Sequence, residues 1–418
     1  MPTTKNRNTR DGAQPLLTTA LLLAGLGNLI LPSVVQDLLP VEYLLVTLGL
    51  CGIAILYQLR MVLSRVGMWW PGLAFVISCI PGFLVSPVTA YGLTKAQALG
   101  LTLVIFLTCA AIKRPPEFVV RFSTAAMIIG AVFIVAAQRF GTSDVGGRLT
   151  FLGLNPIGIG RVAGLVLVLA LTLVIARRVR APLLVLGLIA LAAVAAVGVV
   201  ATGSRGPLLA AAIALFGLFV FLAATKQLAP RVVVLVSLVT LAAGGAVLLS
   251  DSTGLTRLTT ATDSGRSSLY EESFRLAVAN PMGIGWGQLG QYIVDFRAVD
   301  EEGLYAHNVF LEIFVEGGVL ALVAFTALTV ACLIRAWRAT RVDPRFIMVL
   351  IAFVYAVASA QFSSDIVGNR LMWLYMGFTL MSGWYAAHET ANKEQTLVEQ
   401  TVDGPTRDSK PGQLRSTL

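Results

Sequence analysis

Histidine is nearly missing from this chain, with two in 418 residues, and cysteine is scarce, with four. The cysteines, Cys51, Cys79, Cys109 and Cys332, lie far apart inside apolar runs. That spacing excludes a disulfide framework and a zinc-type ligand set. Charge is thin as well: Asp, Glu, Lys and Arg make up 13% of the residues, against 56% hydrophobic. A soluble protein of this length has no core large enough to hide so much apolar surface. There is no phosphate-cradling P-loop and no Rossmann glycine fingerprint. The first apolar run, Leu16 to Leu31, has basic flanks but no small-residue cleavage site behind it. It therefore reads as an uncleaved first span rather than a secretory signal.

What is there is a succession of apolar stretches. Twelve can be drawn, at about 14–31, 41–58, 68–84, 96–112, 118–138, 161–176, 181–200, 207–225, 231–250, 311–334, 345–362 and 370–387. Most come close to the ~20 residues that cross a bilayer. The fold class is an all-α polytopic membrane protein, with about 12 transmembrane helices and one long external loop carrying short amphipathic helices. The organisation follows: a cytoplasmic N-terminal tail over 1–13, helices 1 to 9 over 14–250, the external loop over 251–306, helices 10 to 12 over 307–387, and a disordered cytoplasmic tail over 388–418. That tail is polar, with Gly404, Pro405, Pro411 and Gly412. Within the loop, Ser267 to Ala279 has a helical pattern, with Leu269, Phe274, Leu276 and Val278. It predicts an amphipathic helix at the membrane surface.

An even number of spans leaves both termini on one side, and basic residues tell which. With cytoplasmic termini, ten of the 31 basic residues fall at the outer ends: Lys95, Arg139, Arg148, Arg161, Arg205, Arg257, Arg266, Arg275, Arg297 and Arg370. The others lie inside. The net charge of +9 thus reflects topology and contact with anionic membrane lipids, and implies no nucleic acid. The outer ten are informative because orientation does not need them.

Several of these residues sit in unusual settings. Lys95 precedes the fourth span, Arg148 lies in Gly-Gly-Arg-Leu-Thr, and Arg161 opens the sixth span. Arg205 lies in Thr202-Gly-Ser-Arg-Gly-Pro207, and Arg266 in Asp263-Ser-Gly-Arg-Ser267. His307, followed by Asn308, stands where the long loop enters the tenth span. A guanidinium fork matches phosphate oxygens bidentately, and flanking glycines allow close approach. An imidazole at a membrane surface, with an unperturbed pKa of ~6.5, has a neutral fraction able to accept a proton. Each residue also has a plainer reading. An arginine at a span end snorkels to the headgroups, and that suffices for Arg139, Arg257, Arg297 and Arg370. A lone histidine is often interfacial. Glu312 and Glu316, four apart on one helix face, form either a strut with an external arginine or a catalytic carboxylate pair. Asp365, in Phe362-Ser-Ser-Asp-Ile366, either caps a loop or contacts substrate.

The run from His307 and Asn308 through Leu311 to Gly318 resembles a signature of the O-antigen ligase and O-antigen polymerase superfamily of bacterial membrane glycosyltransferases. Gly203-Ser-Arg205-Gly206, Ser264-Gly-Arg266, Asn280-Pro-Met-Gly283-Ile-Gly285 and Asn155-Pro156 are similar too. The resemblance runs from about Tyr91 to Trp384. It implies a GT-C-like fold in the bacterial cytoplasmic membrane, with the active site facing the periplasm or exterior. It implies transfer of a glycan from polyprenyl (undecaprenyl) diphosphate to an acceptor sugar hydroxyl, with inversion and with neither cofactor nor metal. Arg205 and Arg266 would bind the diphosphate, and His307 would meet the acceptor or leaving group. Arg148, Arg161, Lys95, Asn308, Glu316 and Asp365 are the further candidates for substrate contact. The acceptor would be a glycan or a lipid-linked glycan. A polysaccharide polymerase shares this donor chemistry. A transporter or flippase of lipid-linked glycans also suits twelve spans, and would show broken helices or mid-span charges.

The first external loop holds one acidic residue, Asp37, and no paired-carboxylate motif. Glycan transfer by the purified protein is therefore expected to survive EDTA. Loss with chelator and recovery with Mg²⁺ or Mn²⁺, measured as product formed from a lipid-linked donor, would reverse this.

Overall fold

Prolines and short polar caps set the helix boundaries. The computed structural model describes residues 13–31, 43–144, 147–176, 181–227, 266–293 and 304–402. Helices α1 (Ala13–Ile30), α2 (Tyr43–Tyr57), α3 (Leu59–Ser64), α4 (Val66–Ser78) and α5 (Ile80–Leu84) come first. α6 (Ala90–Ala110) opens on Thr89, whose hydroxyl accepts from Gly92 N–H at 2.9 Å, satisfying one of the donors that a helix start leaves unpaired. α7 (Pro115–Phe140) begins on two prolines. A small hairpin, β1 (Thr142–Ser143) paired antiparallel with β2 (Leu149–Thr150), leads to α8 (Pro156–Ile175). There Pro156 follows Asn155, which caps Ile157 N–H at 2.9 Å. α9 (Pro182–Ala201) and α10 (Arg205–Ala224) follow, joined by a three-residue turn. After α11 (Arg266–Ala279) and α12 (Leu289–Tyr292) come α13 (Val309–Val342), a 3₁₀ turn at Pro344–Phe346, α14 (Ile347–Ser359) and α15 (Arg370–Val402).

Eleven of the twelve expected spans fall on these helices. The span at about 231–250 lies outside the described residues, as do Asp263, Arg257 and Arg297. Seven spans meet length and hydropathy criteria for crossing a membrane, among them Val66–Leu84, in which α4 and α5 run on. α15 does not meet them, and its position explains why. From Leu371 to Ser382 nearly every residue is buried, including Trp373, Tyr375, Thr379 and Ser382. A helix enclosed by other helices can carry hydroxyls and indoles that lipid would reject, because protein groups satisfy them. Trp373 Nε1, for instance, donates to Ile366 O at 3.1 Å. α8 is likewise enclosed, with Tyr355 of α14 packed against Gly164 and donating to Arg161 O at 2.8 Å.

Three expectations need correction. The sixth span starts at Pro156, where proline is suited to a helix start, so Arg161 lies inside it rather than opening it. The fourth span starts at Ala90, not near residue 96, so Lys95 lies inside a helix rather than before it. And α15 continues to Val402, into the stretch read as a disordered tail. Residues 388–402 hold three Glu, two Gln, an Ala, a Lys and a Leu, good helix formers, and neither Gly nor Pro. Pairs four apart add a little, Glu389 with Lys393 at 3.6 Å and Gln395 with Glu399 at 3.1 Å. The amphipathic helix of the long loop is present as α11. Leu269 and Ala277 are buried toward α13, while Phe274 and Val278 are 57% and 56% exposed.

α13 is broken. Gly318 takes φ 82°, ψ 179° within it, a region open essentially to glycine alone. The amides and carbonyls freed there are bonded by the Pro281–Gly287 segment: Ile284 N–H to Val315 O at 2.8 Å, Gly285 N–H to Glu316 O at 3.2 Å, and Val319 N–H to Pro281 O at 2.8 Å. A Cβ at Gly318 would stand 2.7 Å from Met282 O. Gly318→Ala is expected to cost roughly 1–3 kcal/mol, read as a lower midpoint in thermal unfolding of the detergent-solubilised protein. An unchanged midpoint would mean that the break tolerates a side chain.

Candidate functional site

A single lysine organises the end of the bundle where α6, α13 and α15 begin. Glu312 and Glu316 stand one turn apart on the first half of α13 and face the same way. Lys95 Nζ lies 2.7 Å from Glu312 Oε1 and 2.6 Å from Glu316 Oε2, and all three side chains are 0% exposed. The ring of Tyr91, one turn earlier on α6, lies 4.6 Å from the ammonium, near enough for its negative face to help. The Tyr91 hydroxyl donates to Asp365 Oδ2 at 2.5 Å. Glu312 accepts from Ile366 N–H at 3.1 and 3.2 Å, and Glu316 Oε2 from Gly287 N–H at 3.0 Å. Charges out of water are costly unless paired and hydrogen-bonded. Here a cation, two carboxylates and two backbone amides meet that condition together.

The α14–α15 loop, residues 360–369, ties this cluster to other charged residues at this end of the bundle. Arg161 is 5% exposed, and its Nη2 donates to Ser359 O at 3.3 Å and to Ser363 O. Gly206, next to Arg205, packs so closely on Phe362 that a Cβ would lie 2.7 Å from the Phe362 Cβ. Val309 N–H donates to Ala360 O at 3.2 Å, two residues from His307. Asp365, 7% exposed, uses Oδ1 to accept from Gly368 N–H at 2.8 Å.

His307 has φ 53°, in the left-handed region, and its ring stands 4.3 Å from that of Tyr305. Its carbonyl accepts from Tyr270 of α11 at 3.5 Å. Arg266, one turn before Tyr270, opens α11, so the start of that helix lies beside the start of α13. Asn308 caps α13, its Oδ1 accepting from Phe310 and Leu311 N–H at 3.1 Å each. Arg148 pairs with Asp144 at 2.7 Å across the β1–β2 turn. Arg205 is exposed as the first residue of α10.

The structure thus brings Lys95, Glu316 and Asp365 into one cluster with Glu312, and connects Arg161 to it through the α14–α15 loop. Arg148 lies apart, in its own hairpin. The strut partner of Glu312 and Glu316 is a lysine from α6, not an external arginine. Tyr91 went unremarked in the sequence. Its signal was faint: an aromatic residue four before the one lysine in an otherwise apolar run.

These features define a multi-pass α-helical membrane protein with charged groups converging at one end. Residues 190–326, from within α9 to within α13, match a family model described as O-antigen ligase. The matched segment is less than half of the chain, and it is similar to that family over this stretch. It contains Arg205, Arg266, His307, Asn308, Glu312 and Glu316; Lys95, Arg148, Arg161 and Asp365 lie outside it. No curated protein matches the chain.

Removing the cation alone leaves two buried carboxylates facing each other. Lys95→Met is expected to destabilise the protein by about 3–5 kcal/mol, seen as a large loss of folded protein by size-exclusion chromatography in detergent. A Lys95→Met variant with wild-type yield and melting would show that the carboxylates find another partner.

Proposed function

We propose that this protein transfers a glycan from a polyprenyl diphosphate donor to an acceptor sugar hydroxyl, in the manner of an O-antigen ligase, at the end of the bundle where His307, Arg205 and Arg266 begin their helices. The observation that carries this reading is the α14–α15 loop. It touches the Arg205 turn through Phe362 and the His307 segment through Ala360, within a chain whose 190–326 segment matches the O-antigen ligase family. The expected outer side is the periplasmic or external face of the cytoplasmic membrane, where a lipid-linked donor presents its glycan.

The division of labour follows from chemistry. Arg205 is exposed at a helix N-terminus, whose unpaired N–H groups and dipole favour anions. Arg205 and Arg266 hold the diphosphate and offset its charge as the glycosidic bond breaks. His307 orients the acceptor hydroxyl or takes its proton. Arg161 and Asp365 act from below by holding the loop, and Asn308 by starting α13. Lys95 and Glu316 are reserved for each other. Donor chemistry is the same for a ligase and a polymerase, so the acceptor supplied in the assay separates them.

A transporter of lipid-linked glycans has one observation in its favour: a broken helix, α13, beside buried charges. In transporters such features line a cavity and hold the cargo. Here the freed backbone groups at the break bond to residues 281–285, and the charges bond to one another and to Gly287 and Ile366. Although Glu316 Oε1 has no hydrogen-bond partner, every charged group of the cluster has a partner within the protein, which favours the transferase.

Purified protein in liposomes with a lipid-linked glycan and an acceptor is expected to form the glycosylated product. Arg205→Lys keeps the charge and loses the fork, and should lose most activity while expressing normally. His307→Ala is expected to slow transfer by at least a hundredfold, within the ~10²–10⁴ that general-base help supplies. Near-wild-type rates in Arg205→Ala and Arg266→Ala would remove the diphosphate assignment. Donor translocation without product would favour the transporter.

A further inference from the structure

The Lys95 cluster sits beneath every segment that the proposed site uses, yet no atom of it reaches the surface. Glu312 lies one turn below Asn308 and is bonded to its carbonyl through its own N–H at 2.8 Å. It thereby belongs to the turn that presents His307. The same carboxylate holds Ile366 N–H, and with it the loop that contacts Arg161 and the Arg205 turn. Glu316 holds Gly287 N–H, in the strap that follows α11 and fills the break in α13. Lys95 joins the two carboxylates across from α6. Three separate segments, one bearing His307, one contacting the Arg205 turn and one leading back to the helix that begins at Arg266, are therefore referenced to a single ammonium.

We propose that Lys95, Glu312 and Glu316 form a positioning clamp that sets His307 relative to the arginines, without touching donor or acceptor. The inference rests on the transferase reading. Its physical ground is that well-packed apolar residues of similar volume often match or exceed a buried ion cluster in stability. They lack directional bonds to Ile366 and Gly287, so they would fill the space without fixing the three segments. A misplacement of about 1 Å costs as much as 10²-fold in a reaction that depends on alignment. Ground-state binding of the donor through charged arginine side chains is far less sensitive to it.

The test is the apolar triple variant Lys95→Met/Glu312→Met/Glu316→Met, which removes every charge of the clamp and both side-chain acceptors of the Ile366 and Gly287 N–H groups at nearly constant volume. It is expected to fold with a melting point near wild type. Its kcat should fall at least about tenfold, with the donor KM within about threefold of wild type. Hydrogen exchange at the amides of 309–312 and 364–369 should quicken at least about tenfold, since exchange reads local opening. A kcat within about twofold of wild type, or unchanged exchange, overturns the clamp. If the triple variant does not fold, Glu316→Met alone keeps the Lys95–Glu312 pair and removes the acceptor of Gly287 N–H. It should still lower kcat at constant donor KM, and an unaltered kcat overturns the proposal. The exchange arm needs no glycan, so it still decides on the clamp if the wild-type protein transfers nothing.

Discussion

An ammonium group between two carboxylates, with no water in reach, constrains much of this protein. Lys95, Glu312 and Glu316 can be buried only together. α6 and α13 must therefore meet at that level and in that rotational setting. The two backbone amides that complete the carboxylates come from outside both helices, so the α14–α15 loop and the glycine-rich strap are drawn to the same point. The helix break at Gly318 belongs to the same arrangement, because the strap that supplies Gly287 N–H also bonds to the amides and carbonyls that the break exposes.

Charged and polar residues at this end of the bundle then fall into two groups. Lys95, Glu316, Arg161 and Asp365 are buried and bonded within the protein, and Arg148 and Asn308 have local partners in a hairpin and a helix cap. Arg205 is exposed, and His307 is half-buried at the mouth of its helix. A buried layer that holds backbone in place beneath an exposed charged layer suits the proposed reaction on a lipid-borne anion: alignment from beneath, charge from above.

Much of this was legible from the residues alone. The spans were readable because lipid-facing helices must be apolar, and α9 and α10 coincide with what hydropathy implied. α15 was placed although its interior polar residues weaken its hydropathy. Its far end was misjudged, because composition marks polar helix and polar coil alike, and only the continuous run from Arg370 settles it. The start of α6 was misplaced for a related reason. A lysine reads as the edge of a span when its neutralising partners are more than two hundred positions away in sequence. Glu312 and Glu316 were recognised as a pair by their spacing, but spacing within one helix says nothing about the helix opposite. The motif residues His307, Arg205 and Arg266 were identified because each stands next to a turn-forming glycine, serine or asparagine at the head of a helix.

The break in α13 has a consequence for how this fold tolerates different membranes. In an unbroken helix, one residue more or less turns everything beyond it by about 100°. At Gly318 the helical phase is interrupted, and the half above it is held by its own bonds to the strap and to Lys95. The lower half faces lipid with Val319, Leu320 and Val323 exposed and the bundle with Phe325, Leu328 and Cys332 buried; a residue gained or lost there, to suit a thicker or thinner bilayer, need not turn the upper half. The imidazole at the top keeps its heading.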